Sequence, residues 1–453
     1  MTLTTGRVLS RRRVLSALTA AGLGVTLFTA GAVGLSPLGT DGADRPASAR
    51  AVSGLPATAH TGKVLDERIT ALQQRLRELP GDAAGWATLA LLYVQQAKAT
   101  ADPSYYPKAE EVLRRSLDTE PTGNFTAMAG QSALAAARHD FTAALDWAQK
   151  AVAVNPYNAT LYGALADALT QLGRYDEASD AVQRMVDLQP GTPSLARASY
   201  VRELRGDLAL AQEYMQRALD MAPTAADRAF TRYYLSHLAL TRGDASGALT
   251  HAEEGLRADP GHSALHQAKA KAELALGRPR EAVASYRAAV ARVPQPEYVL
   301  ELGELHQALG DTAQANEQFD LLRAEQRLFA ANGVAADADA VLFEADHGDP
   351  AKALALAEEG IRVRPFLDMQ DAYAWALHAN GHDREALDWS RKATALGTRN
   401  PLHTYHQGVI LHALGDQAGA RAQFTRALDG NPAFHPLHAP AATAALTALG
   451  GPA

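Results

Sequence analysis

Fifteen histidines and no cysteine pose the first question: where could this chain hold a metal or move a proton? Nine of the histidines fall after residue 300: His306, His347, His378, His382, His403, His406, His412, His435 and His438. His378 and His382 are four apart, and His403 and His406 are three apart. Such spacings chelate zinc when both rings sit on one helical face. His382 follows Gly381, so a turn is expected to split the first pair, whereas His403 and His406 can share a helix. The competing reading places these histidines on solvated faces or in loops. HExxH, G-x-S-x-G, the Walker loop and the dinucleotide fingerprint are all missing. Without cysteine there are no disulfides, thiolate nucleophiles or cysteine-ligated zinc. The expectation is a chain with no catalytic residue, no metal and no cofactor. A metal-dependent hydrolase using the C-terminal histidines is the alternative.

The elements that must position these residues are helices. Alanine dominates, aromatics make up 6% of the chain, and alanine is the best helix former. Proline closes an apolar helical stretch at Pro121, Pro156, Pro190, Pro223, Pro260, Pro294, Pro365 and Pro432. The gaps are 35, 34, 33, 37, 34, 71 and 67, the last two each near two units of 34. A fixed period of this size marks a stack of helix–turn–helix units. Within Thr160 to Pro190, Tyr162, Leu165, Ala166 and Leu169 form one apolar helical face. Gly173 ends that helix, Tyr175 packs into the turn, and Ala178, Val182 and Met185 face inward on a second helix. Pro190 stops it. Gly206-Asp207, Gly243-Asp244, Gly310-Asp311, Gly348-Asp349 and Gly415-Asp416 each set a helix-ending glycine beside an N-cap aspartate. Pro350 suits a first helical position.

These residues resemble the tetratricopeptide repeat family. Its pattern is met by Trp86, Leu89, Ala90, Tyr93, Ala109, Leu113, Ser116 and Pro121, by Leu302, Gly303, Ala315 and Phe319, and by Gly408, Ala420, Phe424, Ala427 and Pro432. The expected fold is all-α: a right-handed superhelical solenoid of about ten repeats over residues 83–432. Residues 50–82 supply a linker and an N-terminal capping helix, Val64 to Leu79. Residues 433–453 supply a C-terminal cap, Ala439 to Leu449, and a tail. Departures are His139 in place of a turn glycine, the exit "GTRNP" of the ninth unit, and the irregular junction Leu321 to Val341. The insertion "AKATADPSYYP" in the first unit reads as a surface loop presenting Tyr105 and Tyr106.

The resemblance implies a non-catalytic scaffold that binds a peptide or protein partner on its concave side, where the first helix of each unit lies. Carried onto this sequence, the inward positions are Asp167, Thr170 and Gln171, Tyr200 and Glu203, Tyr233 and His237, Gln267 and Lys271, Glu304 and Gln307, then Asp371, Trp375, His378, Tyr405 and His412. Tyr200, Phe230, Tyr233 and His237 are expected to form one aromatic patch, and Trp375, His378, Tyr405 and His412 another. Partner apolar groups would bury against these rings, and Asp and Glu would select basic partners. The net charge of −7 argues against a nucleic-acid partner. Without residues 1–49 the charge becomes −10, since that segment holds five arginines and two aspartates.

The N-terminus reads differently. Arg7 and Arg11 to Arg13 precede an uncharged run from Val14 to Leu35, long enough to cross a bilayer. Ala47-Ser48-Ala49 fits a small-x-small cleavage site. Ser10-Arg11-Arg12-Arg13-Val14-Leu15 resembles a twin-arginine export signal, with Ser16 where lysine often stands. The expectation is an extracytoplasmic bacterial protein, exported or anchored through residues 14–35 if these stay uncleaved. An anchored assembly factor for envelope complexes is a further alternative.

Overall fold

The computed structural model describes residues 61–450. The export segment, residues 1–49, lies outside the described residues. Among the described residues there are 22 α-helices and no strand. Helix α1 (Thr61–Glu78) packs on the first repeat. Ten antiparallel pairs follow. They are α2 (Ala83–Thr100) with α3 (Tyr105–Thr119), α4 (Phe125–Ala137) with α5 (Phe141–Val154), and α6 (Ala159–Gln171) with α7 (Tyr175–Leu188). Next come α8 (Thr192–Leu204) with α9 (Leu208–Asp220), α10 (Ala225–Thr241) with α11 (Ala245–Ala258), and α12 (Ser263–Ala275) with α13 (Pro279–Arg292). The array ends with α14 (Pro296–Ala308) and α15 (Thr312–Ala331), α16 (Ala338–His347) and α17 (Pro350–Val363), α18 (Leu367–Ala379) and α19 (Asp383–Thr394), and α20 (Pro401–Ala413) and α21 (Gln417–Gly430). Helix α22 (His438–Ala448) covers the last pair. The fold is an all-α tetratricopeptide-type solenoid.

Small residues let each pair close. A Cβ added at Gly303 or Gly408 would lie 2.5 Å from Phe319 or 2.7 Å from Phe424. The cap aspartates also act as their position requires. Asp207, Asp244 and Asp416 accept from the N–H three residues on, and Asp349 from Ala351. Asp311 stands at the N-cap of α15 but meets the His306 ring instead, at 3.3 Å. Gly348 is not left-handed, at φ −130°; Glu344 folds back there to accept from the Asp349 N–H.

The first-unit insertion is not a presented loop. Its AKAT continues α2, and Tyr105 and Tyr106 open α3. Tyr106 is buried in the core, and Tyr105 packs on the Tyr93 ring at 5.9 Å. The apolar ring of Tyr106 gains more against α2 and α4 than in water.

The superhelix wraps far enough to meet itself. The turn within each of units two to five touches chain 187 to 196 residues further on. His139 Nδ1 lies 3.0 Å from the Ala335 carbonyl, and Ala335 N–H donates to Arg138 O. Gly173 faces the carbonyl of Pro365, Gly206 that of Gly397, and Gly243 that of Gly430. At Gly206 an added Cβ would sit 2.3 Å from that oxygen. These turn residues have φ between 63° and 78°, which glycine adopts without strain. So the bare turns serve both to end helices and to admit the next superhelical turn. The irregular junction after Leu321 belongs to this seam: α15 runs to 20 residues, and Phe329 and Val334 pack into the N-terminal core beside Leu65 and Tyr106.

Candidate functional site

Closing the seam turns the concave side into a chamber of about 930 Å³. Its wall is built from the first helices of units four to ten. Tyr200 and Glu203 come from α8, Phe230, Tyr233, Tyr234 and His237 from α10, and Lys271 from α12. Helix α14 gives Glu297, Tyr298, Glu301 and Glu304, and α16 gives Asp339 and Asp346. Asp368 and Asp371 on α18, with His403 and His406 on α20, complete the helical wall. Leu65 and Arg68 of α1 and Lys98 of α2 close the N-terminal end. The period of 3.6 places residues three and four apart on one face, which is why Glu297, Glu301 and Glu304 stack along α14.

The chamber acids are held by cations and imidazoles. His237 Nε2 lies 2.9 Å from Glu203. Lys271 Nζ reaches Glu301 at 2.7 Å and Glu297 at 3.3 Å, and Gln267 donates to both carboxylates. Glu304 takes His347 on one oxygen and His435 on the other, each at 3.0 Å. Asp346 accepts from Trp375 Nε1 at 2.9 Å and meets His438 at 3.4 Å. Asp371 accepts from His406 at 2.8 Å, and His403 lies 3.1 Å from Asp368. Asp339 makes no such pair, and its Oδ2 is buried without a hydrogen-bond partner.

Burial and these neighbours set the ionisation. Burial would lower His403 and His435, but Asp371 and Asp368 raise the first and Glu304 the second, so both end above the ordinary histidine value. Burial would raise Glu304, yet its two imidazoles hold it well below the usual carboxylate range. Glu301 is pushed up to about 7, chiefly by burial. Asp339 goes well above its ordinary value, by burial first and then by Asp337, Glu297, Glu301 and Asp368 around it. Lys98 is lowered to about 8 by burial, against the pull of Asp167.

Seven of the sixteen residues assigned to the concave side line the chamber: Tyr200, Glu203, Tyr233, His237, Lys271, Glu304 and Asp371. The residues of the expected mid-groove patch, Tyr200, Phe230, Tyr233 and His237, meet there, but Tyr200 and Phe230 are buried in the core and only Tyr233 and His237 stay partly exposed. The α6 residues are not free for a ligand. Asp167 forms a two-pronged bond to Arg197 at 2.9 and 2.7 Å. Thr170 is buried and donates to Ala166 O. Gln171 is buried and accepts from Arg364 Nε at 2.7 Å. Asp167 is taken by the neighbouring unit and Thr170 by its own helix, while Gln171 is covered by the second superhelical turn, which lays Arg364 to Leu367 against this unit. Tyr175 goes beyond its own turn, and its hydroxyl accepts from the Leu367 N–H.

The C-terminal patch also differs from expectation. Trp375 and Tyr405 lie 6.2 Å apart but are buried in the core, not exposed. His406, stacked on Trp375 at 4.1 Å, and His438, stacked on Tyr405 at 4.9 Å, take the places expected for His378 and His412. His378 still touches Trp375 but bonds across its own turn to Asp383 at 2.6 Å. His412 is exposed beside Gln417, Gln307 is exposed too, and Gln267 is buried behind the α14 acids. His403 and His406 share α20 as expected, but both are buried, neither solvated nor in a loop. His382 stands at the N-cap of α19, off the helix of His378. Among the described residues no group of three or more histidines or acids is placed to hold a metal ion.

Sequence reasoning missed Glu297, Glu301, Asp339, Asp346 and Asp368 as chamber residues. Their signal was spacing along α14, α16 and α18, once the inward face of each first helix is known.

The tetratricopeptide repeat family's sequence model matches residues 135–199 and 239–300. No curated protein matches the chain. Among solved structures, the chain is similar to a human IFIT1 dimer with m7Gppp-AAAA, at 14% identity over 73% of this chain and 77% of that one, with a TM-score of 0.46. It is also similar to the APC/C hetero-tetramer Cut9-Hcn1, at 15% identity over 84% and 81%, TM-score 0.38. PilW, a type IV pilus biogenesis factor, aligns at 15% identity over 45% of this chain and 93% of its own, TM-score 0.36.

Proposed function

We propose that this chain is a non-catalytic scaffold whose chamber receives a segment of a protein partner. The observation that carries the reading is the chamber wall, where seven successive first helices converge on one space and five of them, α8, α10, α14, α16 and α18, bring tyrosines or carboxylates to it. Aromatic rings with polar tips give contact area at low entropy cost, as binding hot spots do. The carboxylates favour a partner segment that brings positive charge, and like charge would be rejected. The N-terminal arginines and the uncharged run after them support action outside the cytoplasmic membrane. Among the described residues no helix is long and apolar enough to cross a membrane.

A pull-down from native cells with wild-type chain and with Tyr233→Ala plus Glu203→Gln tests this. The expected result is at least tenfold less partner recovered by the variant at an unchanged melting temperature. Equal recovery would show that the chamber is not the binding site. N-terminal sequencing of the mature protein tests export: a start at Arg50 fits a cleaved signal, and an intact Met1 to Leu35 fits an anchor.

A further inference from the structure

One wall of the chamber is not a repeat helix. After α21 the chain turns at Asn431 and runs through Pro432-Ala433-Phe434-His435-Pro436-Leu437 before α22 begins at His438. This short stretch touches the first helices of four successive units. His435 Nε2 meets Glu304 of α14 at 3.0 Å, and His438 Nε2 meets Asp346 of α16 at 3.4 Å. Phe434 lies 5.9 Å from the Tyr405 ring of α20, and His438 stands edge-on to Trp375 of α18 at 6.0 Å.

Capping the array does not require this reach. Helix α22 covers the end of the stack with Ala442 and Leu446, which pack with Ala420 and Phe424. The receiving face is also held by other bonds: His347 fixes one oxygen of Glu304, and Trp375 fixes Asp346. The stretch is folded into two turns: the Phe434 N–H donates to Asn431 O, and the Leu437 and His438 N–H groups donate to His435 Nδ1. Prolines 432 and 436 fix φ within those turns, which lowers the entropy cost of seating the stretch against the wall. The stretch offers what the wall asks for: a ring for Tyr405, then two imidazoles for two carboxylates.

We infer that residues 431–438 are a built-in ligand. They occupy the site at which the array receives a turn-forming segment of a partner protein, one that carries an aromatic side chain followed by cationic side chains. The partner segment replaces them on Glu304 and Asp346. This rests on the reading of the chamber as the partner site.

The test uses the acetylated, amidated peptide Asn-Pro-Ala-Phe-His-Pro-Leu-His, the sequence of residues 431–438. Its binding to the full chain is measured by calorimetry at a pH near 6, where imidazoles carry charge. Three chains are compared: wild type, His435→Ala with His438→Ala, and that double variant with Glu304→Gln added. The double variant unseats the internal stretch and is expected to bind the peptide at least tenfold more tightly than wild type. Adding Glu304→Gln is expected to remove at least tenfold of that affinity. Equal binding to wild type and double variant, or binding to neither, overturns the proposal. Should the double variant melt early, hydrogen exchange on wild type decides. Millimolar peptide is expected to speed exchange of the Ala433, Phe434 and His435 amides several-fold, and unchanged rates overturn the proposal. The pull-down with Tyr233→Ala and Glu203→Gln reads a different face of the chamber. Lost capture there, without peptide competition here, would sink the built-in ligand alone.

Discussion

Gln171 and Arg364 stand 193 residues apart in sequence and share a buried hydrogen bond of 2.7 Å. Arg364 also lies over the rings of Phe141 and Phe366, at 5.1 and 4.4 Å. This pairing fastens the third unit to the junction between the eighth and ninth. It makes the solenoid a closed body in which stability is no longer a sum of neighbour contacts alone.

Arg364→Ala should therefore act beyond its own unit. It strands the Gln171 oxygen and removes the planar group between two rings, a loss of about 3 kcal/mol. Urea unfolding should change from one transition to two as the superhelical turns separate. Arg364→Lys should not rescue, because an ammonium lacks the flat face that stacks.

The seam glycines give a matched comparison. Gly206 and Gly310 both have left-handed φ, 75° and 81°. An added Cβ meets Gly397 O at 2.3 Å in the first case and nothing within 4 Å in the second. Gly310→Ala should cost about 1 kcal/mol of left-handed strain. Gly206→Ala should cost that plus about 1–3 kcal/mol for the overpacked seam. Chemical denaturation of the two variants measures the difference, and equal losses would mean that the seam is loose.

Glu325 predicts a pH dependence. It is 2% exposed, and neither carboxylate oxygen has a partner. Burial pushes it up to about 9, so it is neutral in the folded chain at pH 7. Its folded pKa exceeds the unfolded one, so the folded state holds the extra proton. Its share of stability is full below about 4.3 and is lost as pH rises from there toward 9. Glu325→Gln should flatten that decline and gain on the order of 2 kcal/mol at pH 7. Melting curves from pH 5 to 9 check the slope, and parallel curves for wild type and variant would contradict it.

Ten units were legible because each is a local device: a proline stop, a turn glycine and a cap aspartate recur every 34 residues or so. The chamber was legible in half-measure. Tyr200, Tyr233 and His237 face it from α8 and α10, with Leu367 and Asp368 of the second turn forming part of the same lining. Asp167, Thr170 and Gln171 occupy the same register in α6 but are paired off inside the protein. Nothing in one unit records that another passes over it 190 residues later. The traces were there as exceptions: His139 in a glycine's place, the long α15, and the histidines after Pro432.

Asp339 should be the chamber residue whose change stabilises the chain and harms binding at once. Its carboxylate forms no hydrogen-bonded ion pair, and Asp337, Glu297, Glu301 and Asp368 around it outweigh the pull of the Arg364 guanidinium. Its raised folded pKa means that stability falls as pH climbs above the ordinary aspartate value. Asp339→Asn should raise the neutral-pH melting temperature and lower capture of a basic partner several-fold. A variant that melts lower would contradict the crowding of acids.

The most direct measurement is a photo-crosslink in the native cell. A photoreactive phenylalanine analogue replaces Tyr233 in the chamber in one chain, and in another it replaces Tyr157, which is 79% exposed. The account predicts that one protein is captured through position 233 and not through 157. Capture through 157 with nothing at 233 would place the partner outside the chamber and contradict the account.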